Sequence, residues 1–351
     1  MNGQTIRTFL SANSSEGFYS YFDEFLKGKK TYVIKGGPGT GKSSFMKKIA
    51  AKAVSKGNFT EYVYCSSDPD SLDGVYIQNS ETVFTDGTPP HVMEVKFPGA
   101  MGAIINVGQF IDSEKMIPVK DEILRLNSKF SAAYARAYRY LKAASCASSE
   151  LRAIGQKYLD SEKMKEYFNR ISERYSADKK GSGGKSYIRF LSGITPKGYV
   201  TFKDTIYTLC SDVFVIRDRY GISFSALKIL KDKFIDKGFD VYEFRFPLEP
   251  EYISHIAVPE LNIAFVTSDK LTHFDSENSK SVNLSRFLRD DIEFEKKYSA
   301  SAAKLMKICL EEAIEALRTA KALHDDLEEL YISAMDFASL DKLTEEYCNM
   351  I

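Results

Sequence analysis

The sequence has no excess of either charge. Its 48 Lys and Arg balance 48 Asp and Glu, so it lacks the basic surplus that gives nucleic-acid binders the salt-dependent part of their affinity. Paired cysteines are absent too. Cys65, Cys146, Cys210, Cys309 and Cys348 are odd in number and scattered. No CxxC pair or Cys/His cluster has zinc-ligand spacing, which argues against a metal centre or a disulfide framework and for reduced thiols. The first ten residues, MNGQTIRTFL, hold no basic segment followed by an apolar one, so no signal peptide is read. No apolar stretch approaches the roughly 18 residues that span a bilayer. These absences predict a soluble, cytoplasmic protein. At 351 residues, 44% hydrophobic and 27% charged, the chain has the length and composition for two or three packed domains.

What is present is a repeat. Phe9-Leu10-Ser11 recurs as Phe190-Leu191-Ser192, Gly17 as Gly198 and Asp23 as Asp204. The apolar run Tyr32-Val33-Ile34 returns as Phe214-Val215-Ile216, Lys56-Gly57 as Lys237-Gly238, and Phe84 as Phe265. Matches in residue, order and spacing over this length mark a tandem duplication. Each copy reads as α/β. Lys30 to Lys35 is a short, β-branched apolar run, a buried parallel strand. Phe45, Met46, Ile49, Ala53 and Val54 then recur at helical spacing until Gly57 stops the helix. Glu61 to Cys65 and Glu81 to Thr85 read as further strands. Helix-rich tails follow, from Val119 to Arg174 and from Phe287 to Met350, each expected to form a long helical hairpin. The polar stretch Asp178 to Lys185 reads as a linker. The expected architecture is two P-loop NTPase-like domains with mainly parallel sheets, residues 1–180 and 186–351, joined through 181–185.

Between the strand and helix of the first copy lies Gly36-Gly37-Pro38-Gly39-Thr40-Gly41-Lys42-Ser43, which fits GxxxxGK[ST], with Ser44 closing the segment. Glycines permit positive φ and close approach, so successive N–H groups cradle phosphate oxygens at the positive end of a helix. Lys42 would reach the β- and γ-phosphates, and the Ser43 hydroxyl would ligate Mg²⁺. The ligands expected here are therefore a nucleoside triphosphate, ATP, and Mg²⁺. Such a site needs a carboxylate at a nearby strand end. Asp86, closing Thr82-Val83-Phe84-Thr85-Asp86, is the candidate, although Asp-Gly is also common turn chemistry.

The second copy serves as an internal control. Its loop, Asp218-Arg219-Tyr220-Gly221-Ile222-Ser223-Phe224-Ser225, keeps one glycine and no lysine, and Thr267 stands where Asp86 does. A degenerate loop that binds no triphosphate in the usual way is expected. Acid-Pro-acid persists in both copies, as Asp68-Pro69-Asp70 and Glu249-Pro250-Glu251, which favours turn and capping roles for Asp68 and Asp70. Asp73 changes with the loop, to Ser254, and is a candidate substrate, water or metal contact. His91 follows Asp86 and either senses the γ-phosphate or orients water, or else has a structural role shared with His273. Arg217, Arg219 and Arg245 are candidates for an arginine supplied across the copies.

The strings Lys35 to Ser43, Cys65 to Gly74, Asp86-Gly87-Thr88 and Ile194 to Gly198 resemble a family of bacterial tandem P-loop proteins described as ATPase- or nucleotide-kinase-like. The resemblance covers nearly the whole chain. It implies a P-loop fold and nucleotide binding but no particular substrate. Members of that family often keep a second glycine-rich loop, and this chain departs from them there. Three functions remain open. One is a Mg²⁺-dependent ATPase that switches the arrangement of the copies or tails. The second is a small-molecule or nucleotide kinase with Asp73 or Asp68 near the acceptor, and the third is a nucleotide-sensing adaptor whose helical tails bind a protein partner.

Overall fold

The structure is a computed structural model, and it describes residues 3–89, 92–176, 181, 183–275 and 280–351. The first copy begins with strand β1 (Thr5–Phe9) and the hairpin β2 (Ser11–Ser14) and β3 (Gly17–Ser20), followed by helix α1 (Phe22–Phe25). Strand β4 (Lys30–Lys35) leads through the glycine loop into α2 (Lys42–Ser55). Then come β5 (Thr60–Tyr64), β6 (Leu72–Ile77), β7 (Thr82–Asp86), β8 (Gly102–Asn106) and α3 (Ser113–Met116). The tail is α4 (Lys120–Tyr158) and α5 (Ser161–Tyr175). The second copy repeats the order with β9 (Ser186–Arg189), β10 (Ser192–Thr195), β11 (Gly198–Thr201), α6 (Lys203–Leu209), β12 (Asp212–Arg217) and α7 (Ser223–Asp236). It closes with β13 (Val241–Arg245), β14 (Ile253–Val258), β15 (Ile263–Ser268), β16 (Lys280–Asn283), α8 (Lys296–Ile332) and α9 (Phe337–Met350).

Both sheets have six strands in one order, β1-β5-β6-β7-β4-β8 and β9-β13-β14-β15-β12-β16. All neighbours are parallel except at β6 and β14, which run antiparallel to the strands on both sides. The duplication thus holds strand for strand. Val33 and Ile34, and Val215 and Ile216, are fully buried at the centre of their sheets, as continuous apolar runs flanked by strands on both sides require. The copies meet about an approximate two-fold axis. Phe9 and Phe190, equivalent positions, exchange backbone hydrogen bonds at 2.9 and 2.8 Å. Close by, buried Arg189 of the second copy grips Glu61 of the first through two bonds, 2.6 and 3.0 Å.

The tails correct one expectation. They do not fold back as hairpins. Instead α4 packs antiparallel along α8, its counterpart, with the Phe130 ring near His324 at one end and Lys157 paired with Glu295 at the other. Small buried residues, Ala137 and Ala144 facing Ala313 and Ala316, let the two helices approach. Each short helix then crosses to the opposite copy. Helix α5 puts Met164, Phe168 and Ile171 against Leu227, Leu230 and Phe234 of α7. Helix α9 puts Leu340 against Phe45, Met46 and Ile49 of α2. Reciprocal bridges, Ile111 to Met335 and Leu159 to Leu288, and the N-capping carboxylates Asp160 and Asp336 fix both crossings. An amphipathic helix needs an apolar partner face, and its sequence does not say whose. Of the linker read from Asp178 to Lys185, residues 178–180 and 182 lie outside the described residues.

Candidate functional site

The glycine loop leaves the buried end of β4 and turns into α2 with Gly39 at φ 65° and Gly41, the N-cap of α2, at φ 83°. Only glycine takes these left-handed conformations without strain. Thr40 is buried and its hydroxyl donates to Gly37 O at 2.7 Å, closing the loop on itself. Pro38 sits at the apex, and Ser44 is exposed on the first turn of α2. Lys42, only 9% exposed, donates from Nζ to Gly37 O at 2.6 Å and to Gly36 O at 3.4 Å. The same Nζ lies 3.7 Å from Asp86 Oδ2. Because β7 pairs in parallel with β4, the strand end at Asp86 lies beside the start of the loop.

Asp86 Oδ1 accepts from the Thr88 N–H and hydroxyl at 2.8 and 2.6 Å. Burial holds its carboxyl above the usual aspartate range, against the opposing pull of Lys42. Ser43 Oγ accepts from Leu72 N–H at 3.0 Å, which ties α2 to the start of β6. Asp73, the next residue, is 4% exposed, accepts from Ser11 Oγ at 3.2 Å and adds to the upward push on Asp86. Burial, and then Asp73, push the Cys65 thiol up. Lys42, Ser43, Asp73 and Asp86 are therefore brought into one neighbourhood. The hydroxyl of Ser43 and the carboxylate of Asp86 are hard oxygen donors of the kind Mg²⁺ takes. His91 lies outside the described residues.

Asp68 is a turn residue, accepting from Ser71 Oγ at 2.8 Å and Asp70 N–H at 3.2 Å. Asp70 pairs with Lys197 of the other copy at 2.5 Å. Their counterpart Glu249 is buried and held by Arg152, Ser145 and Ser148 of α4. The acid-Pro-acid turns thus anchor the copies and their long helices. Arg245 caps its own turn at Glu251 O, 2.7 Å away, while Arg217 and Arg219 border a cavity of the second copy.

Pairing the two loops position by position is the most informative comparison. Lys42 opens α2 and faces Asp86. At the equivalent places Ser223 opens α7 and its Oγ lies 3.0 Å from Thr267 Oγ1. A charged pair in one copy is a hydroxyl pair in the other. Asp218, at the start of the second loop, accepts from Tyr220, Gly221 and Ser223 N–H groups at 2.9, 3.0 and 2.7 Å. Its carboxylate fills the anion cradle from within.

Sequence reasoning missed what covers the first loop. The end of α8 lies on it. A Cβ at Gly37 would stand 2.6 Å from the Tyr331 ring, and one at Gly39 2.7 Å from Glu328 O. Gly39 N–H donates to Glu328 Oε1 at 3.2 Å. In the second copy the shapes are exchanged. Gly155, placed before Asp160 as Tyr331 is before Asp336, receives Tyr220 and Ile222 of the loop, each 2.7 Å from where a Cβ would be. Bulk on the helix meets glycine in the loop in one copy, and the reverse holds in the other. The conserved spacing of the two capping aspartates was the only sequence signal for it.

No helix among the described residues is long and apolar enough to cross a membrane. Comparison with known proteins returns no match: no family model, no curated protein and no solved structure matches this chain.

Proposed function

We propose that the first copy binds ATP with Mg²⁺ on Gly36 to Ser44 and hydrolyses it, and that the nucleotide works against the end of α8. The observation that carries this reading is the Lys42–Asp86 pair at 3.7 Å, set against its neutral replacement by Ser223 and Thr267. Packing alone explains glycines in the loop. It does not explain a lysine buried at a helix start beside a strand-end carboxylate, since burying a charged pair costs more than burying hydroxyls. Five free cysteines and a need for ATP support a cytoplasmic location in this reading.

In this reading the loop N–H groups bind the phosphate oxygens, and Lys42 exchanges its loop carbonyls for the β- and γ-phosphates. Ser43 and Asp86 would hold Mg²⁺, which when bound neutralises charge on the phosphates. Asp73 would contact the attacking water. Glu328 on Gly39 N–H occupies a donor that a phosphate also requires, so nucleotide and α8 compete for the loop. That contact favours, as a second reading, a nucleotide-sensing adaptor in which binding alone releases α8 and turnover is absent.

The test is phosphate release by purified protein with ATP and Mg²⁺ and no added acceptor. Wild-type protein should turn over, and Lys42→Ala should not while its far-ultraviolet spectrum stays native. Tight ATP binding without turnover supports the adaptor. Unchanged activity in Lys42→Ala sinks the site assignment.

A further inference from the structure

The second copy has its own cavity, of about 860 Å³, at the place where the first copy carries its glycine loop. That is the size of a small-molecule pocket. Its floor is the loop from Asp218 and the start of α7, and its roof is Leu151 of α4 with Ala303 and Met306 of α8. Phosphate is not its ligand at the cradle, because the Asp218 carboxylate already takes three N–H groups there. Leu151, Phe224, Phe246, Ile253 and Met306 make the wall mostly apolar.

Many polar groups interrupt that wall, and two kinds of them bear on what the cavity would hold. His255, 2% exposed on β14, accepts at Nδ1 from Thr267 N–H at 3.1 Å. A ring bonded in this way carries its proton on Nε2, and among the described residues none accepts a hydrogen bond from it. His255 lines the cavity, so that proton is served by whatever fills it. At the rim stand Arg219 and Lys270, both exposed, and no described carboxylate lies within ion-pair distance of either. Of the nearby carboxylates, Asp269 is engaged by the Leu271 and Thr272 N–H groups at 2.8 and 2.7 Å, and Asp275 also has a partner.

We infer that this cavity is a binding site for a small organic anion with an aromatic or branched hydrocarbon body. The body lies along the apolar wall, and the acidic group meets Arg219 and Lys270 at the rim. This assignment stands apart from the nucleotide reading of the first copy, since it uses none of that loop's residues.

The probes are 8-anilinonaphthalene-1-sulfonate and its uncharged analogue N-phenyl-1-naphthylamine, titrated by fluorescence into the full chain. The sulfonate should bind saturably, one per chain, with the neutral analogue at least about tenfold weaker. Arg219→Ala should bring the sulfonate down to the level of the neutral probe. Ala303→Trp and Met306→Trp, two independent fillers on α8, should each abolish binding of both probes while the far-ultraviolet spectrum stays native. Lys42→Ala should leave both affinities unchanged. Binding that survives in a folded filler, that fails to saturate, or that is lost in Lys42→Ala overturns the site. Equal affinity for the two probes overturns its anionic character.

Discussion

The backbone N–H of Gly39 donates to the carboxylate of Glu328, joining the glycine loop of one copy to the long helix of the other at 3.2 Å. A phosphate oxygen and a carboxylate oxygen compete for such a donor, and they also repel each other. Glu328→Ala should therefore tighten ATP binding by about five- to tenfold, the equivalent of one charge-assisted bond. Calorimetric titration measures it. Tighter binding in Glu328→Ala with no change in Glu329→Ala separates this contact from a general loss of negative charge.

Asp86 tests the trade between stability and function. Burial raises its carboxyl above the ordinary aspartate range. A raised carboxyl binds its proton more readily in the folded than in the unfolded chain, so its contribution is best at low pH and is lost as pH rises through the folded value. Asp86→Asn should thus melt higher than wild type at pH 7. The difference should narrow as pH falls toward the ordinary aspartate range near 4. The same variant should lose phosphate release, a pattern typical of functional rather than packing residues. A lower melting point at pH 7 would reverse the sign of this argument.

Glu61 and Arg189 form a bidentate pair buried between the copies, with the Thr8 hydroxyl as third partner at 2.6 Å. Removing one member strands the other. Arg189→Ala should cost about 3–5 kcal/mol in urea unfolding. Replacing both, Glu61→Met with Arg189→Met, should recover most of that loss.

Exchange of the short helices predicts which half a C-terminal lesion weakens. Leu340 is 4% exposed within the α2 core of the first copy. Leu340→Ala should cost about 2–5 kcal/mol. Amide exchange should quicken in β4 and α2, and not in β12 and α7, although the mutation belongs to the second copy's tail. Faster exchange in α7 alone would mean that the tails do not cross in solution.

These experiments divide along the line between local and long-range order. Strand β4, helix α2 and strand β7 were readable because their apolar periodicity and glycine stops are local signals, and the structure places them within a residue or so of expectation. Strand β6 was not. Its sequence, Leu72-Asp73-Gly74-Val75-Tyr76-Ile77, holds an acid and a glycine, and only pairing on both sides makes it a strand. The site divides in the same way. Lys42, Ser43 and Asp86 could be named from motif and strand end, whereas Glu328 and Tyr331 stand nearly three hundred residues away, with no spacing rule to reach them.

By itself, then, the sequence determined that the chain is doubled, that each half is α/β, and that one loop kept its lysine and glycines while the other lost them. Those are properties of short windows and of one window compared with another. The tertiary structure decided where the tails go and what lies on the loops. Helices α5 and α9 carry faces that either copy's sheet layer would bury, and the antiparallel α4–α8 pair delivers each of them to the opposite one. Burial of apolar area is non-directional, so the choice between equivalent partners comes from chain geometry, which no local pattern records.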